Sequence, residues 1–587
     1  MRTTVRLILL GLLICLSCRL QAQDQYDYTW LLGTPGYNHP ELFMGGDLIN
    51  FNDGTPSVTY FDLTVDLWVP CVASDKNGLL QFYSNGCQIM NHQHQLMENG
   101  YEINSGPIHD QYCINTGYPA GNSLLFLPFP GHEDEYYHFH MRQYADHRTW
   151  DLLWSRIDMK ANGGLGKVLE KNMPLIQDTL MPSVSAVRHG NGRDWWIIVG
   201  EQFNDDMYCL LLDTFGVHPA TKIRYASWIA PNQYPSFLCF SPDGKKMARG
   251  GHGTPAAFRL YDFDRCSGTL SNPVTIQIPE AEAFLSWPCF SPNSRYLYLV
   301  NQLSRLYQYD TWAADINASV QLVGEHDGFL ADYGLPTTLY TMTTGPDQRI
   351  YMSANNGTRY LHTIHKPNEP GLACDFRQHD FQMPAIFPFF LPNMPFYRLY
   401  NEPGSLCDTL GVHAPLVTQW RSESDSIAGA LTVAFTDISY FQPTSWHWTF
   451  GDGDTSLLPS PTHAFPAPGE YNVCLAVCNE AGLCDTLCRK VTVRDTTTSL
   501  PAIADKLHVS AWPNPANTWL WLAHPDGDEA EFQLFDLAGR LVVQQKLPNH
   551  SGIERVAVAH LAKGLYFWQL CHTGRQVKSG KIIIQKN

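Results

Sequence analysis

The chain has 587 residues, 44% hydrophobic, 16% charged and 12% aromatic, with a formal charge of −17. That length gives room for about four domains, and low charge with many aromatics excludes a disordered chain and favours strands. The acidic balance has no basic stripe to offset it, which excludes nucleic acid as a partner.

Residues 1–22 read as a Sec signal peptide. Arg2 and Arg6 precede an apolar run over residues 7–16, and Leu20-Gln21-Ala22 offers cleavage chemistry before Gln23. The run is too short to cross a bilayer, and no later stretch reaches the ~20 apolar residues of a membrane helix. A lipoprotein signal at Cys18 is the rival, but Cys15-Leu16-Ser17 makes a poor lipobox. Removing the segment takes the charge to −20 and leaves fourteen of the sixteen cysteines. An exported chain keeps those cysteines where disulfides persist.

Residues 24–400 repeat themselves. Phe237-Leu-Cys239-Phe240-Ser241-Pro242-Asp243-Gly244 returns as Trp287-Pro-Cys289-Phe290-Ser291-Pro292-Asn293-Ser294, and more weakly as Met342-Thr-Thr-Gly345-Pro346-Asp347. Each copy is an apolar strand, a turn in which Pro presets φ and Asp or Asn caps the backbone, then an alternating strand. Ser74-Asp75-Lys76-Asn77-Gly78 is a hairpin turn of the Asn-Gly kind. Fainter copies begin at His132 and His189. A period near fifty with several short strands per unit predicts a β-propeller of about seven blades. A helical solenoid is excluded, because Gly, Pro and alternating aromatics interrupt every helix-length window. Cys71-Val-Ala-Ser-Asp-Lys-Asn-Gly-Leu-Leu-Gln-Phe-Tyr, Gly163-Gly-Leu-Gly-Lys-Val-Leu-Glu and Ser241-Pro-Asp-Gly-Lys-Lys resemble the WD-repeat-like propellers of exported Bacteroidota proteins. That resemblance implies architecture more than activity.

A Pro/Gly-rich linker over residues 401–416 leads to a predicted sandwich, residues 417–494. Trp446-His-Trp448-Thr-Phe450-Gly451-Asp452-Gly453-Asp454 is an aromatic strand entering a tight turn, and His463 to Cys478 completes the pattern. This is similar to a PKD domain, an immunoglobulin-like fold, with Trp448, Phe450, Gly451, Asp452 and Gly453 as its signature. Asp452 and Asp454 are read as turn acids before calcium ligands. Period-two alternation puts Cys474 and Cys478 on one strand face, and Cys484 and Cys488 on that of the next strand. With the hairpin turning at Ala481, Cys478 faces Cys484 and Cys474 faces Cys488. Directly opposed Cα atoms lie within disulfide reach, so both bridges are expected, in preference to a zinc site.

A second linker, residues 495–506, precedes a last sandwich over residues 507–587. Trp512-Pro513-Asn514-Pro515, Asp536-Leu-Ala-Gly539-Arg540 and Gly564-Leu-Tyr566 stand in an order that resembles the type A sorting domain of the type IX secretion system. Trp512 departs mildly from that pattern. The resemblance implies recognition by an outer-membrane translocon and display on the cell surface or release.

No serine elbow, zinc-protease helix, phosphate loop or dinucleotide motif is present in the sequence. His92/His94 and His138/His140 share strand faces as metal ligands do, yet both pairs lie beside turns. Cys239 and Cys289 read as buried thiols, and one ring of Trp195-Trp196 reads as core. The reading therefore assigns no catalytic residue, metal or cofactor. It expects an all-β, surface-displayed or secreted binding or adhesion protein whose propeller meets an unknown glycan or protein ligand. The alternative is a propeller-type glycan hydrolase, with carboxylates drawn from distant blades.

Overall fold

The computed structural model describes residues 24–35, 44–224, 237–251, 257–279, 287–301, 303–412, 414–424, 431–441, 443–494, 510–512, 519–524, 530–537, 539–547, 552–572 and 575–584. The stretches expected to be a signal peptide (1–22) and a second linker (495–506), and Pro513, Asn514 and Pro515, lie outside the described residues.

Up to residue 387 the chain forms antiparallel sheets of successive strands arranged around an axis, a β-propeller. The repeats of the sequence are its inner strand pairs: Leu238–Phe240 with Lys246–Gly251, Cys289–Phe290 with Tyr296–Asn301, and Met342–Thr344 with Ile350–Met352. The turn between each pair is built from side chains. Ser241 Oγ donates to Asp243 at 2.6 Å and accepts from Lys246 N–H at 2.9 Å. Ser291 repeats this with Asn293 at 2.6 Å and Tyr296 N–H at 2.8 Å. These bonds satisfy backbone groups that a bare corner would strand.

Among the described residues the propeller holds six hydrogen-bonded sheets, whereas the repeat predicts about seven blades. One sheet has eight strands because Lys167–Arg188 runs unbroken through 22 residues. It pairs with Thr149–Asp158 along its first part and with Trp195–Glu201 along its last, its register slipping between Leu180 and Val184. A count of seven comes only from dividing that sheet in two. Between neighbouring sheets lie apolar layers, as where Ala248 and Phe258 meet Phe290 and Leu297. Tyr28, Trp30 and Phe51 of the first sheet pack on Tyr351, Leu361 and Phe387 of the last, closing the ring. Each such buried side chain contributes ~1.5–3 kcal/mol.

Two sheets face each other in the next unit, Trp420–Ser424, Thr432–Asp437 and Thr462–Ala464 against the sheet of Ser445–Thr449 and Gly469–Cys478. Val473, Leu475 and Val477 point inward to Trp420, Phe435 and Trp448. On the outer face of Gly469–Cys478 and Cys484–Val493, Cys474 is bonded to Cys488 and Cys478 to Cys484, with Cα atoms 4.0 and 4.1 Å apart. Two further disulfides, Cys87–Cys113 and Cys266–Cys407, lie in the propeller and between it and the first linker. The last unit again stacks two sheets around Leu522, Phe532, Leu534, Trp568 and Ile582.

The sandwich beginning near Val417 is docked on the propeller. Arg349 pairs with Glu423, Gln348 Nε2 donates to Ile438 O at 3.0 Å, and Arg421 Nη2 donates to His365 O at 2.8 Å. Met342–Thr344 fixes which face this is. Pro346, just beyond it, accepts from Tyr440 OH, while Tyr340, just before it, reaches the opposite face.

Candidate functional site

Residues 388–398 of the chain occupy the propeller's axis. Asn393 Nδ2 donates to Leu124 O and Val184 O, each at 2.9 Å, and Tyr397 OH donates to Phe126 O at 2.9 Å. Leu391 packs on Trp30, and Met394 lies against the layer holding Leu31 and Tyr83. At the docked end Arg398 forms a two-pronged pair with Asp27 at 2.5 and 2.7 Å, both side chains buried. Burial opposes the Arg398 charge, yet the Asp27 carboxylate holds its pKa well above the ordinary guanidinium value. About 90 Å3 remains beside this segment. The channel is a plugged core, and ligands are left the open mouth.

That mouth is a cavity of about 790 Å3 on the face away from the docked sandwich. Its volume falls within the ~300–1,000 Å3 of small-ligand sites. Trp68, Phe203, Tyr340, Phe389 and Phe390 line it half-buried, so each keeps part of its ring open to the cavity. The rings form a connected rail, Trp68 to Phe389 at 5.6 Å, Phe389 to Phe390 at 6.4 Å and Phe390 to Tyr340 at 5.9 Å between centroids. Phe390 also meets Trp287, itself stacked on Phe237 at 4.7 Å. The plug thus supplies two rings of the mouth and ties them to the blades; Ser353 Oγ donates to Phe389 O at 2.6 Å.

Polar groups between the rings are mostly uncharged: Gln143, Thr149, Gln202 and Asn355. Gln143 is 7% and Thr149 2% exposed, and Gln143 Oε1, Thr149 Oγ1 and Gln202 Oε1 have no hydrogen-bond partner among the described residues. The charges come from the turn Asp146-His147-Arg148, where Asp146 and Arg148 lie 3.9 Å apart and the Arg148 guanidinium stands 5.4 Å over Phe203. His147 holds that turn with φ 59°, in the left-handed region. Asp146 is the one carboxylate among the described lining residues. Beside Gln202, the acids Glu201, Asp178 and Asp206 converge on Lys222 Nζ at 2.6, 3.2 and 3.7 Å.

The residues singled out in the sequence do not assemble at this mouth. His94 stacks on Phe61 and meets Tyr83 OH at 3.2 Å. His138 and His140 are buried in a strand, His140 bonded to Asn104 and Ser155, and burial drives its pKa down to about 3. Cys239 and Cys289 are free thiols on neighbouring inner strands, and burial raises the Cys289 thiol to about 12. Trp195 is in the core under Arg188 at 4.2 Å, and Trp196 packs on Gly268.

In the signature turn Gly451 has φ 81°, and a Cβ there would meet Asn472 O at 2.8 Å, so only glycine fits. Trp448 is buried, Phe450 stacks on His463 at 4.0 Å, and Asp452 accepts from His463 Nε2 at 2.7 Å. Among the described residues Asp452, Asp454 and His463 are the one group with metal-ligand proximity. Asp452 is already spent on the histidine, and Asp454 is exposed. In the last unit Arg540 closes a turn on Asp536, Nε to Oδ2 2.8 Å, around Gly539 at φ 76°, and Tyr566 OH donates to Ala562 O at 2.9 Å.

Two stretches match known families. Residues 413–494 match the PKD domain, and residues 510–585 match the secretion system C-terminal sorting domain. The protein is thus an exported β-propeller protein with a PKD domain and a type IX sorting domain, destined for the cell surface or the extracellular space. No curated protein matches the chain. Among solved structures, the PKD1 domain of Vibrio anguillarum Epp is 25% identical, covering 14% of this chain and 94% of that one at a TM-score of 0.13. Periplasmic gluconolactonase PpgL of Pseudomonas aeruginosa is 12% identical over 80% of this chain and 97% of its own, TM-score 0.33. The Cps50 (Swd1) β-propeller domain of Myceliophteria thermophila is 13% identical over 61% and 94%, TM-score 0.25. Likenesses this distant carry no argument about activity.

Proposed function

We propose that this protein is a type IX-exported recognition protein whose propeller mouth captures a ligand without transforming it. The observation that carries this reading is the lining itself, which among the described residues is an aromatic rail with amides and a single carboxylate, closed below by the chain's own plug. Hydrolysis by a carboxylate pair needs two such groups ~5–9.5 Å apart across the bond. The acids beside Gln202 would be candidates for the hydrolase alternative, but all three are tied to Lys222 and none of them lines the mouth. In this reading the docked PKD domain holds the mouth in a fixed direction, and the sorting domain engages the secretion translocon through its Asp536-Gly539-Arg540 turn, Gly564-Tyr566 and the Pro513-Asn514-Pro515 segment.

The test is to screen the mature chain against glycans, matrix proteins and chromogenic glycosides together. Saturable binding that Trp68→Ala weakens, with no turnover, is the expected result. Turnover of any glycoside would replace this reading with the hydrolase.

A further inference from the structure

We infer that the ligand of the mouth is a neutral oligosaccharide, held by stacking on the Trp68–Phe389–Phe390–Tyr340 rail and by hydroxyl contacts to Gln143, Thr149 and Gln202. This rests on the recognition reading and names its ligand class. Three features of the cavity converge on it.

The first is the pairing of ring faces with amide and hydroxyl groups. A pyranose has an apolar C–H face and a hydroxylated rim, so it needs aromatic surface below and neutral hydrogen-bonding groups at the side. The rail supplies connected, half-open rings over about three centroid steps of 5.6, 6.4 and 5.9 Å. An apolar ligand would leave the polar wall unused, and a fully polar one would waste the rings.

The second is the unsatisfied oxygen set. Leaving a buried acceptor unbonded costs ~1–3 kcal/mol, and three such atoms belong to side chains lining one cavity. Each belongs to a side chain that borders the cavity, and a ligand hydroxyl there is the partner that would satisfy it. A ligand rich in hydroxyls donates to the amide oxygens and exchanges either role with the threonine.

The third is charge. The described lining holds no buried ion, and its exposed Asp146 and Arg148 offset one another at 3.9 Å. Recognition of acidic ligands uses arginine forks or lysine, and the lone Arg148 is turned onto Phe203. An extended peptide is taken up on an open sheet edge, whereas the mouth is ringed by the ends of inner strands and by turns. Its concave 790 Å3 suits a chain of a few sugar rings.

The experiment titrates the mature full-length protein with neutral hexasaccharides (cello-, xylo-, malto- and chitin-derived), with oligogalacturonate and oligoalginate, and with a random-sequence peptide pool. Calorimetry and tryptophan fluorescence read the binding, since Trp68 lines the mouth and Trp287 packs behind Phe390. At least one neutral series should bind, more tightly with length, and Trp68→Ala and Gln202→Ala should each weaken it about tenfold or more at an unchanged unfolding midpoint. Gln202 is half-buried and off the plug, so its variant keeps the test alive if Trp68→Ala misfolds. Preference for the acidic oligosaccharides or peptides with the same variant sensitivity would overturn the neutral-glycan inference and leave the recognition reading standing. Neutral binding indifferent to both variants would overturn the site. Silence from all three ligand classes would overturn both readings.

Discussion

Asp47→Asn should remove from the propeller's stability a component that weakens it as pH rises from about 4 to 7. Asp47 lies in Gly45–Asn50, buried at the seam where the first sheet meets the last. Its Oδ1 accepts the Ala385 N–H at 3.0 Å, while Oδ2 has no partner among the described residues. Burial pushes its pKa from an ordinary 3.8 up to about 7, against the opposing pull of the Ala385 N–H and of Arg359. Between those two values the folded chain holds a proton that the unfolded chain has released. Stability therefore falls as pH rises through the window, by ~1.4 kcal/mol per unit, or about 4 kcal/mol in all as an upper bound. Asparagine keeps the neutral form at every pH. Scanning calorimetry of both proteins from pH 4.5 to 8 reads the difference as diverging midpoints. Parallel curves would refute the claim that a buried, half-satisfied carboxylate sits at the closure.

Other parts of the scaffold are open to similar tests. Arg398→Met strands the Asp27 carboxylate inside the ring and should cost ~3–5 kcal/mol, seen as a lowered unfolding midpoint. Desolvation opposes the Glu423 charge, but His365, Arg349 and Arg421 hold its carboxyl well below the usual range. Its contribution is complete above its ordinary pKa and is lost as pH falls through the depressed value, so the docked PKD domain should stay docked in mild acid. Glu423→Gln should loosen it at neutral pH, raising hydrogen exchange around Gln348 and Ile438. Replacing Cys266 and Cys407 together with serine opens a link across 141 residues of sequence. Chain entropy puts that link at about 5 kcal/mol, and protease cutting near residues 401–412 should speed up.

What the sequence revealed, and what it hid, follows from range. The Ser241/Asp243 and Ser291/Asn293 corners were legible because their bonds close within five residues. The Cys474–Cys488 and Cys478–Cys484 pairings followed from strand alternation about one hairpin. The unbroken strand through Lys167–Arg188 was hidden because its Asn172, Pro174 and Pro182 read as breaks in the sequence, whereas the structure carries the strand through them with shifts of register. The plug was hidden for a different reason. Pro388-Phe-Phe-Leu-Pro-Asn-Met-Pro-Phe has neither a strand nor a helix period, and its partners Asn122, Val184 and Asp27 lie far away in the chain. The mouth draws on residues from Trp68 to Phe390, so no local motif could announce it. The histidine pairs drew notice by spacing alone, and burial at His140 and stacking at His94 explain them.

The most direct measurement is the fate of what the mouth holds. The mature protein is kept for a day with a pool of neutral hexasaccharides, then the bound and free fractions are weighed by mass spectrometry. The account predicts a hexasaccharide recovered whole, about one per chain, and lost from the bound fraction in Trp68→Ala. Shortened sugars appearing with time in the native sample, and not in a boiled control, would contradict it.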